Sequence, residues 1–414
     1  MSKLNELINE LCPDGVEYIP MGELGNFFGG ITGKTKNDFK EGNAIFISYK
    51  NVYDNLALNI HPEDRVKIAK NEKQRTLQYG DVVFTGSSET PDECGITSVV
   101  TDYPEEKLYL NSFCFFFRFN DLELFLPDFT KHLFRSSELR YQIGKTASGV
   151  TRFNVSKDKM KKVKIPVPPL EVQREIVRIL DNFTLLTAEL TAELTARKQQ
   201  YVYYLNRLLK FPDAPYYSLR ELCDIVDYRG KTPRKSDSGV FLVTAKNIRQ
   251  GYIDYEKSKE FIPVESYDEV MHRGFPQIGD VLITTEAPCG YVAQVDREDI
   301  ALAQRVIKYR PKDRALLDAT FLKYILLGKE FQLKLAKAAT GGTVKGIKGS
   351  ILHTMTIPVP DIDTQRKIVE FLEQFDTLNH SITDGLPAEI DARQKQYEYY
   401  RDRLLSFRET KVDA

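Results

Sequence analysis

The chain has 414 residues, of which 42% are hydrophobic and 28% charged, and its formal net charge is −1. This composition indicates a soluble globular protein of two or more domains, and the near-zero charge means that any DNA-binding surface must come from local clustering of Lys and Arg. No run of about 18 apolar residues predicts a transmembrane helix, and the five scattered cysteines predict neither disulfides nor a zinc site and favour the reducing cytoplasm.

The sequence contains a long internal repeat. Residues 165–183, IPVPPLEVQREIVRILDNF, match residues 357–375, IPVPDIDTQRKIVEFLEQF, without a gap. Residues 197–211, RKQQYVYYLNRLLKF, match residues 393–407, RQKQYEYYRDRLLSF, in the same way. Agreement over segments of this length indicates that one structural unit occurs twice in the chain.

The segment before each long repeat is predicted to be a mixed α/β domain, at residues 1–164 and 212–356. Short β-branched and aromatic runs such as DVVFTG in the first copy and DVLITT in the second are separated by Gly, Pro, Asn and Asp, a pattern that predicts strands. One helix per copy is predicted at 127–143 and at 318–337, where Leu and Phe recur at helical spacing.

The segment 165–211 is predicted to be a long helix, and the segment 357–414 is predicted to be a second long helix followed by a C-terminal tail. Their apolar residues recur with a period near 3.5, which predicts a coiled coil, and two such helices in one chain pack most simply antiparallel. Gly385 and Pro387 predict a break in the second helix. The predicted fold class is therefore α+β: two pseudo-symmetric mixed α/β domains separated by two long antiparallel coiled-coil helices.

The first long helix carries a tandem repeat, TAELTAEL, at residues 187–194. Each TAEL block is about one helical turn and lengthens a helix by about 6 Å. The block therefore predicts a spacer whose length can vary without loss of the coiled-coil seam. The residues assigned to the spacer are Thr187, Leu190, Thr191 and Leu194.

These motifs together resemble the DNA-specificity subunit of type I restriction–modification systems, and the TAEL blocks resemble its IC-like group. The resemblance implies that the two domains are target-recognition domains, each of which reads one half of a bipartite double-stranded DNA sequence. It implies that the helices set the spacing and dock two modification (methyltransferase) subunits, and that two restriction subunits can join. S-adenosylmethionine is expected in the modification subunit, and this chain is expected to hold no cofactor and to catalyse nothing.

Comparison of the two copies sorts the candidate DNA-binding residues. Features present in both copies are expected to do shared work, such as phosphate contact, with plain turns as an equal alternative. They are Lys34, Thr35, Lys50, Asn51, Ser148 and Thr151 in the first copy, and Lys231, Lys246, Asn247 and Thr343 in the second. Features that differ are expected to read bases: Lys36, Ser87, Ser88, Arg152 and Asn154 in the first copy, and Arg234, Lys235, Gln304, Arg305 and Lys345 in the second.

The repeated helices are rich in tyrosine, and aromatic residues are favoured anchors at protein interfaces. Tyr201, Tyr204, Tyr397 and Tyr400 are predicted to dock a partner subunit. Burial within the coiled coil is the alternative reading for these side chains.

Two other classes of function remain as alternatives. A coiled-coil scaffold would assemble partners without reading DNA. A stand-alone nuclease or methyltransferase is disfavoured, because the GKT tripeptides at 33–35 and 230–232 lack the upstream glycine of a phosphate-binding loop. The five histidines also show no metal-binding spacing, and no catalytic, cofactor-binding or metal-binding residue is predicted.

Overall fold

The computed structural model describes residues 2–228, 233–342, 344–380 and 385–410. The chain divides into two compact units: the first unit comprises Met1–Glu189 and Ile390–Ala414, and the second unit comprises Leu190–Glu389. Each unit therefore combines one predicted domain with parts of both predicted long helices. Within the described residues, we find no helix that is both long and apolar enough to cross a membrane.

The helices and strands up to the end of the first long helix are, in chain order, α1 (Ser2–Leu11), β1 (Glu17–Pro20), α2 (Met21–Leu24), β2 (Gly25–Gly29), β3 (Ala44–Ile47), α3 (Tyr49–Asp54), β4 (Arg65–Val66), β5 (Val82–Thr85), β6 (Ser87–Ser88), β7 (Thr97–Val99), β8 (Leu108–Leu110), β9 (Cys114–Phe119), α4 (Pro127–Leu133), α5 (Ser137–Gly144), β10 (Ala147–Ser148), β11 (Phe153–Val155), α6 (Lys157–Met160), β12 (Lys164–Val167) and α7 (Leu170–Leu208). A 3₁₀ turn spans Lys36–Phe39.

The elements that follow are β13 (Tyr216–Ser218), α8 (Leu219–Leu222), β14 (Cys223–Asp227), β15 (Val240–Val243), β16 (Phe261–Ile262), α9 (Tyr267–Met271), β17 (Val281–Thr284), β18 (Val292–Gln294), β19 (Ile300–Leu302), β20 (Val306–Pro311), α10 (Ala319–Leu327), α11 (Lys329–Ala338), α12 (Gly349–Thr354), β21 (Thr356–Pro358), α13 (Ile362–His380) and α14 (Leu386–Leu404). A second 3₁₀ turn spans Val264–Ser266.

The two units share the strand order of their main sheets. In the first unit an antiparallel sheet has the order β2–β9–β5–β7, and a smaller sheet has the order β4–β3–β8, in which β3 and β8 are parallel. The second unit has the orders β14–β20–β17–β18 and β16–β15–β19, with β15 and β19 parallel. The pairs β1–β12 and β13–β21 also correspond. The predicted duplication is therefore confirmed at the level of topology.

An ion pair between a buried aspartate and a partly buried arginine fixes the four-stranded sheet at the same place in both units. Arg118 in β9 donates from Nε and Nη2 to the two carboxylate oxygens of Asp81, at 2.7 and 2.6 Å. Arg310 in β20 donates in the same way to Asp280, at 2.6 and 2.7 Å. Two parallel charge-assisted bonds hold both partners in one geometry. The repeated GDV tripeptide, which contains these aspartates, is therefore a folding element.

A buried glutamine joins the first long helix to its domain. Gln173, in the first turn of α7, is fully buried. Its Oε1 accepts a hydrogen bond from the backbone N–H of Leu126 at 2.9 Å, and its Nε2 donates to the carbonyls of Leu124 and Pro168 at 3.0 and 2.8 Å. One side chain thereby satisfies three backbone groups that would otherwise be buried without partners.

The same joint is present in the second unit. Gln365, in the first turn of α13, is also fully buried. Its Oε1 accepts from the backbone N–H of Asp318 at 2.9 Å, and its Nε2 donates to the carbonyls of Leu316 and Pro360 at 2.9 and 2.7 Å. The repeated glutamine of the EVQR and DTQR sequences is therefore a second folding element, which ties each domain to a long helix.

The prediction of one continuous helix in each domain is wrong, because each of these segments forms two helices. The first is divided into α4 and α5, and the second into α10 and α11. Ser136 is the N-cap residue directly before α5, and Gly328 lies between α10 and α11; both have extended backbone angles, with ψ of 148° and 144°. An extended residue ends the helical hydrogen-bond pattern even where apolar residues continue at helical spacing.

The predicted first long helix is confirmed as α7, a single helix of 39 residues. Both TAEL blocks lie inside it, and the boundary between the two compact units falls between Glu189 and Leu190. The spacer residues Thr187, Leu190 and Leu194 are half-buried, and Thr191 is exposed. The TAEL blocks therefore form a continuous helical segment where the chain passes from one unit to the other.

The long helices pack through aromatic residues within each unit. In the second unit Tyr201 and Tyr204 of α7 meet Phe375 and Phe371 of α13, with ring centroids 6.5 and 5.1 Å apart. The residue numbers rise along one helix and fall along the other, so this pair is antiparallel, as predicted. In the first unit Phe183 of α7 stacks on Tyr400 of α14 at 5.2 Å.

The second long segment is interrupted, as its sequence predicts. It consists of α13 and α14, and residues 381–384 between them lie outside the described part of the chain. Gly385 precedes α14, and Pro387 occupies the first turn of α14, where a missing backbone N–H breaks no helical hydrogen bond. The break predicted from this glycine and this proline is therefore confirmed.

A buried histidine connects α4 to both long helices of the first unit. His132 lies with Nε2 2.7 Å from Oδ1 of Asp181 in α7 and with Nδ1 2.9 Å from the hydroxyl of Tyr397 in α14. The Nζ of Lys131 is 2.9 Å from the same Asp181 oxygen. Burial lowers the pKa of His132, and this effect outweighs the opposing influence of the Asp181 carboxylate. The folded first unit therefore favours the neutral imidazole.

Acidification should consequently destabilise the first unit. An unfolded histidine takes up a proton below a pH of about 6.5, whereas the buried His132 resists protonation, so the unfolded state binds more protons and stability falls as the pH drops from that value. We expect the urea midpoint to decrease between pH 7 and pH 5, and to decrease less in His132→Gln. The exposed His61 provides the control, because His61→Gln should leave the slope unchanged. Equal slopes in wild type and His132→Gln would contradict this assignment.

Candidate nucleic-acid interface

The first unit brings five of the predicted DNA-binding residues together. The three-stranded sheet β10–β11–β6 pairs Ser148 with Asn154, and Asn154 with Ser87. Arg152 precedes β11, and its Nε donates to the hydroxyl of Ser87 at 3.1 Å. Ser88 pairs with Phe153 in the same sheet, and its hydroxyl donates to Glu93 at 3.0 Å. Two segments that are about 60 residues apart in sequence therefore form one polar surface. Ser87 itself is buried beneath that surface, so it supports Arg152 and its predicted base contact is corrected.

An exposed aromatic residue links this surface to the predicted phosphate-binding loop. Phe113 is 57% exposed, and the guanidinium carbon of Arg152 lies 5.3 Å from the centre of its ring. Phe113 and Phe39 also line a groove of about 670 Å³ together with residues 31–36. Neither phenylalanine is among the residues that the sequence predicts to contact DNA, and Phe113 begins the apolar run FCFFFRF, which has the composition of a strand. The polar NS dipeptide before Phe113 is the signal for the turn that exposes it.

Lys34 and Thr35 of that loop bind neighbouring residues of their own domain. The Nζ of Lys34 donates to Glu72 at 2.5 Å and to the carbonyl of Lys67 at 2.6 Å. The hydrogen bond from Lys34 is the largest of the effects that lower the pKa of Glu72, to about 2. Thr35 forms a capping box with Asp38 at the start of the 3₁₀ turn. The loop residue that remains an exposed cation is Lys36.

The asparagines of the two shared Lys-Asn pairs are buried, which corrects their prediction as DNA-binding residues. Asn51 is buried and its side chain bonds to both the N–H and the carbonyl of Asn59, at 3.1 and 2.8 Å. Asn247 is 0% exposed, and its Nδ2 donates to two carbonyls within its own loop. Asn247 has no exposed surface and Asn51 has only 8%, and the hydrogen bonds of both side chains lie within their own loops, so both asparagines support their loops. Their neighbours Lys50 and Lys246 are exposed, and Lys50 pairs with Asp54.

In the second unit three of the predicted residues lie close together. The Nε of Arg305 is 2.5 Å from Oε1 of Glu286, and Gln304 precedes Arg305 in the same turn. Glu286 forms a bridge with Gly346, and Lys345 is the exposed residue before that glycine. The arrangement matches that of the first unit, in which β6 pairs with β11.

The remaining candidates are distributed differently. Arg234 and Lys235 are exposed near the small sheet of the second unit, and the Nζ of Lys235 is 2.7 Å from Glu260. Thr151 of the first unit is exposed in the loop between β10 and β11. Lys231 and Thr343 lie outside the described residues. All of the exposed candidates remain predictions for DNA contact.

The structure favours burial within the coiled coil for Tyr201 and Tyr397, whereas docking by Tyr204 and Tyr400 stays a prediction. Tyr201 and Tyr397 are buried, and the packing described above half-buries Tyr204 and Tyr400 against phenylalanines. The repeat contains one further tyrosine in each copy, Tyr203 and Tyr399, and these are 56% and 59% exposed. Arg207 donates to the hydroxyl of Tyr203 at 2.8 Å, and Arg403 donates to that of Tyr399 at 3.3 Å. The exposed tyrosines are therefore the ones available to a partner.

The described ranges hold no group of three or more His, Cys, Asp or Glu side chains placed to bind a metal ion. The five cysteines are free thiols, and four of them are buried. Burial raises the pKa of Cys114 and of Cys223 to about 12, which keeps both as unreactive thiols at neutral pH.

The comparison with known proteins also finds the repeat, because one family model matches each half of the chain separately. A family model described as "Type I restriction modification DNA specificity domain" matches residues 13–197 and again residues 214–392. The chain is 37% identical over 279 residues to the EcoR124I/EcoR124II specificity subunit of Escherichia coli. This alignment covers 61% of this chain and 65% of that protein. It is 32% identical over 278 residues to a putative type I restriction enzyme specificity subunit of Haemophilus influenzae, covering 63% and 68%. The aligned region thus spans about two thirds of each of these relatives.

Solved structures of low sequence identity share the fold along nearly the whole chain. One chain of a type I restriction–modification system superposes with a TM-score of 0.60 at 20% identity, over 96% of this chain and 98% of that one. The S subunit of a type I restriction–modification system from M. genitalium superposes with a TM-score of 0.50 at 13% identity, over 94% and 96%. With the family model matched in both halves, this chain belongs to the type I restriction–modification DNA specificity family.

Proposed function

We propose that this chain is the non-catalytic DNA-recognition subunit of a type I restriction–modification complex. Each unit reads one half of a bipartite double-stranded target, and the long helices set the distance between the halves. The same helices dock two modification subunits, which bind S-adenosylmethionine and methylate adenine, and restriction subunits join that assembly. The IC-like assignment of the TAEL blocks and a cytoplasmic location remain predictions.

One observation supports this proposal above all. The two units share one fold, but the exposed polar residues at equivalent positions differ between them. The repeated groups, such as the Asp81–Arg118 and Asp280–Arg310 pairs, have a buried aspartate and a partly buried arginine, and they hold the fold. The groups that differ between the copies, such as Arg152 and Arg305, are exposed on corresponding edges of the two units. A protein that reads two different half-sites with one fold requires this division, because base contacts specify sequence while a common scaffold positions them.

The test is a binding assay on the assembled complex. We expect the chain, purified with its modification subunit, to bind duplexes that contain its bipartite target more tightly than scrambled duplexes. Affinity should fall steeply with salt, because phosphate contacts release counterions. Equal affinity for every duplex would contradict the proposal. An absence of salt-dependent DNA binding would favour the alternative, a scaffold that assembles partners without reading DNA.

Removal of the exposed tyrosines should weaken docking of the modification subunit. Tyr203→Ala and Tyr399→Ala each remove an exposed aromatic side chain from one copy of the repeat, and truncation of such an anchor commonly costs about 2 kcal/mol of binding free energy. We expect each variant to weaken the affinity for the modification subunit about thirtyfold in calorimetry, and the double variant to weaken it further.

The matched control is Tyr216→Ala, which removes a partly exposed tyrosine of β13 that lies outside the long helices. This variant should bind the modification subunit as the wild type does. Wild-type affinity in the Tyr203 and Tyr399 double variant would show that the exposed face of the repeat is not the docking surface.

A further inference from the structure

Phe113 and Arg305 occupy the same structural position in the two units. Each is the last residue before the long strand of the four-stranded sheet, β9 or β20. The carbonyl of Phe113 accepts a hydrogen bond from the N–H of Gly86 at 2.7 Å, and the carbonyl of Arg305 accepts one from Thr285 at 2.8 Å. Gly86 and Thr285 directly follow β5 and β17. The two turns therefore have equivalent backbone hydrogen bonds but carry different side chains.

A second pair of equivalent positions lies in the neighbouring hairpin. Gly149 and Gly341 have φ angles of +153° and +125°, which favour glycine. A Cβ on Gly149 would lie 2.0 Å from the carbonyl oxygen of Arg152, and one on Gly341 would lie 2.2 Å from that of Val344. Both glycines are thus required by the same tight loop, and Arg152 corresponds to Val344.

Each unit therefore has one guanidinium at this edge, supplied by a different part of the chain. In the first unit Arg152 of the hairpin lies over the Phe113 ring and bonds to Ser87. In the second unit the hairpin carries Val344, and the turn residue Arg305 pairs with Glu286. Ser87 and Glu286 are equivalent, because each is the second residue after β5 or β17.

The environment of each guanidinium suits recognition of a base. The contacts with Ser87 and with Glu286 are made by Nε, and a guanidinium held at Nε still carries two Nη groups with further N–H donors. Two such donors can bind O6 and N7 of guanine together in the major groove. The ring of Phe113 and the carboxylate of Glu286 restrict the rotamers of their arginines, which lowers the entropy lost on binding. Both arginines are largely exposed, with Arg305 55% exposed.

We propose that Arg152 and Arg305 are the guanine-reading groups of the first and second half-sites, and that Phe113 and Glu286 are their positioning residues. This inference rests on the proposed function. It assigns to each half-site one guanine that is recognised from the same edge of the fold by an arginine of different origin.

The experiment maps methylated adenines by long-read sequencing in a host that expresses the chain with its modification subunit. Wild type should give one bipartite motif. Arg305→Ala should relax one guanine position in one half-site, with preference at that position reduced about tenfold or more, while the other half-site and the gap stay unchanged. Arg152→Ala should relax one guanine in the opposite half-site. Glu286→Gln should relax the same position as Arg305→Ala, to a smaller extent, without a change in the urea midpoint.

The matched control is Arg297→Ala, which removes another exposed arginine that pairs with a carboxylate, Asp299, and lies near a ring, that of Tyr255. Its motif should equal that of the wild type. If Arg305→Ala abolishes methylation, binding of the purified complex to duplexes substituted at each position decides the matter, since the variant must lose one guanine preference. An unchanged motif in Arg305→Ala and Arg152→Ala would overturn this inference, whereas a wild-type complex without any bipartite motif would overturn the proposed function.

Discussion

Insertion of a third TAEL block after Leu194 is expected to widen the gap between the two methylated half-sites and to leave the bases of both half-sites unchanged. Four residues add about 6 Å to a helix at 1.5 Å per residue, and consecutive base pairs are about 3.4 Å apart. We therefore expect the gap to grow by about one to two base pairs. The insertion point lies inside α7, in the segment where the chain passes between its two compact units. Methylation mapping measures both the gap and the half-sites.

A four-alanine insertion at the same position is the matched control for length. Alanine favours helix and adds the same turn without the leucine of the block. If the segment acts through its length, AAAA and TAEL should produce the same gap. A change in the recognised bases with an unchanged gap would contradict the spacer role of Thr187, Leu190, Thr191 and Leu194.

Gln173→Leu is expected to destabilise the first unit by several kcal/mol. The substitution replaces the amide with an apolar side chain of similar size and leaves the N–H of Leu126 and the carbonyls of Leu124 and Pro168 without their present partner. Each buried backbone group without a partner costs about 1–3 kcal/mol. Urea unfolding of the whole chain, followed by circular dichroism, should show the loss as a lower midpoint or as an early separate transition.

Gln365→Leu should have an equal effect on the second unit, because its three hydrogen bonds are the same in kind. Gln199→Leu, an exposed position of α7, is the control and should leave stability within about 0.5 kcal/mol of wild type. A loss below about 1 kcal/mol in both buried variants would contradict the role of these glutamines as joints.

The sequence was sufficient to predict the duplication, the long helices and the break near Gly385, because these features depend on patterns that extend over many residues. The sequence did not predict which hydrogen-bond partner each individual polar side chain has. Asn51 and Asn247 look like DNA-binding amides in the sequence, yet their partners are carbonyls that only the folded loop brings near. Lys34 likewise looks like a free cation, and Glu72, which pairs with it, is identified only by the tertiary structure.

Helical geometry explains why the tyrosines predicted to dock a partner are less exposed than Tyr203 and Tyr399. Residues three or four apart lie on one face of a helix, so Tyr201, Tyr204 and Leu208 continue the apolar seam and turn inward together. Tyr203 lies on another face and remains exposed. The seam periodicity already contained this information, whereas the choice of docking residues rested on residue type alone. Phe113 was missed for a related reason, since an apolar run does not reveal where a strand begins.

The two glutamine joints have a consequence for how such proteins change over generations. Gln173 and Gln365 recognise only main-chain N–H and carbonyl groups of the adjoining domain, and every residue except proline presents both of these groups. A domain of unrelated side chains can therefore be attached to the same helix, provided that its backbone follows the same path at the joint. Under the proposed function, recombination at this border would exchange one half of the target for another in a single step, and the partner subunits would still meet an unaltered helix.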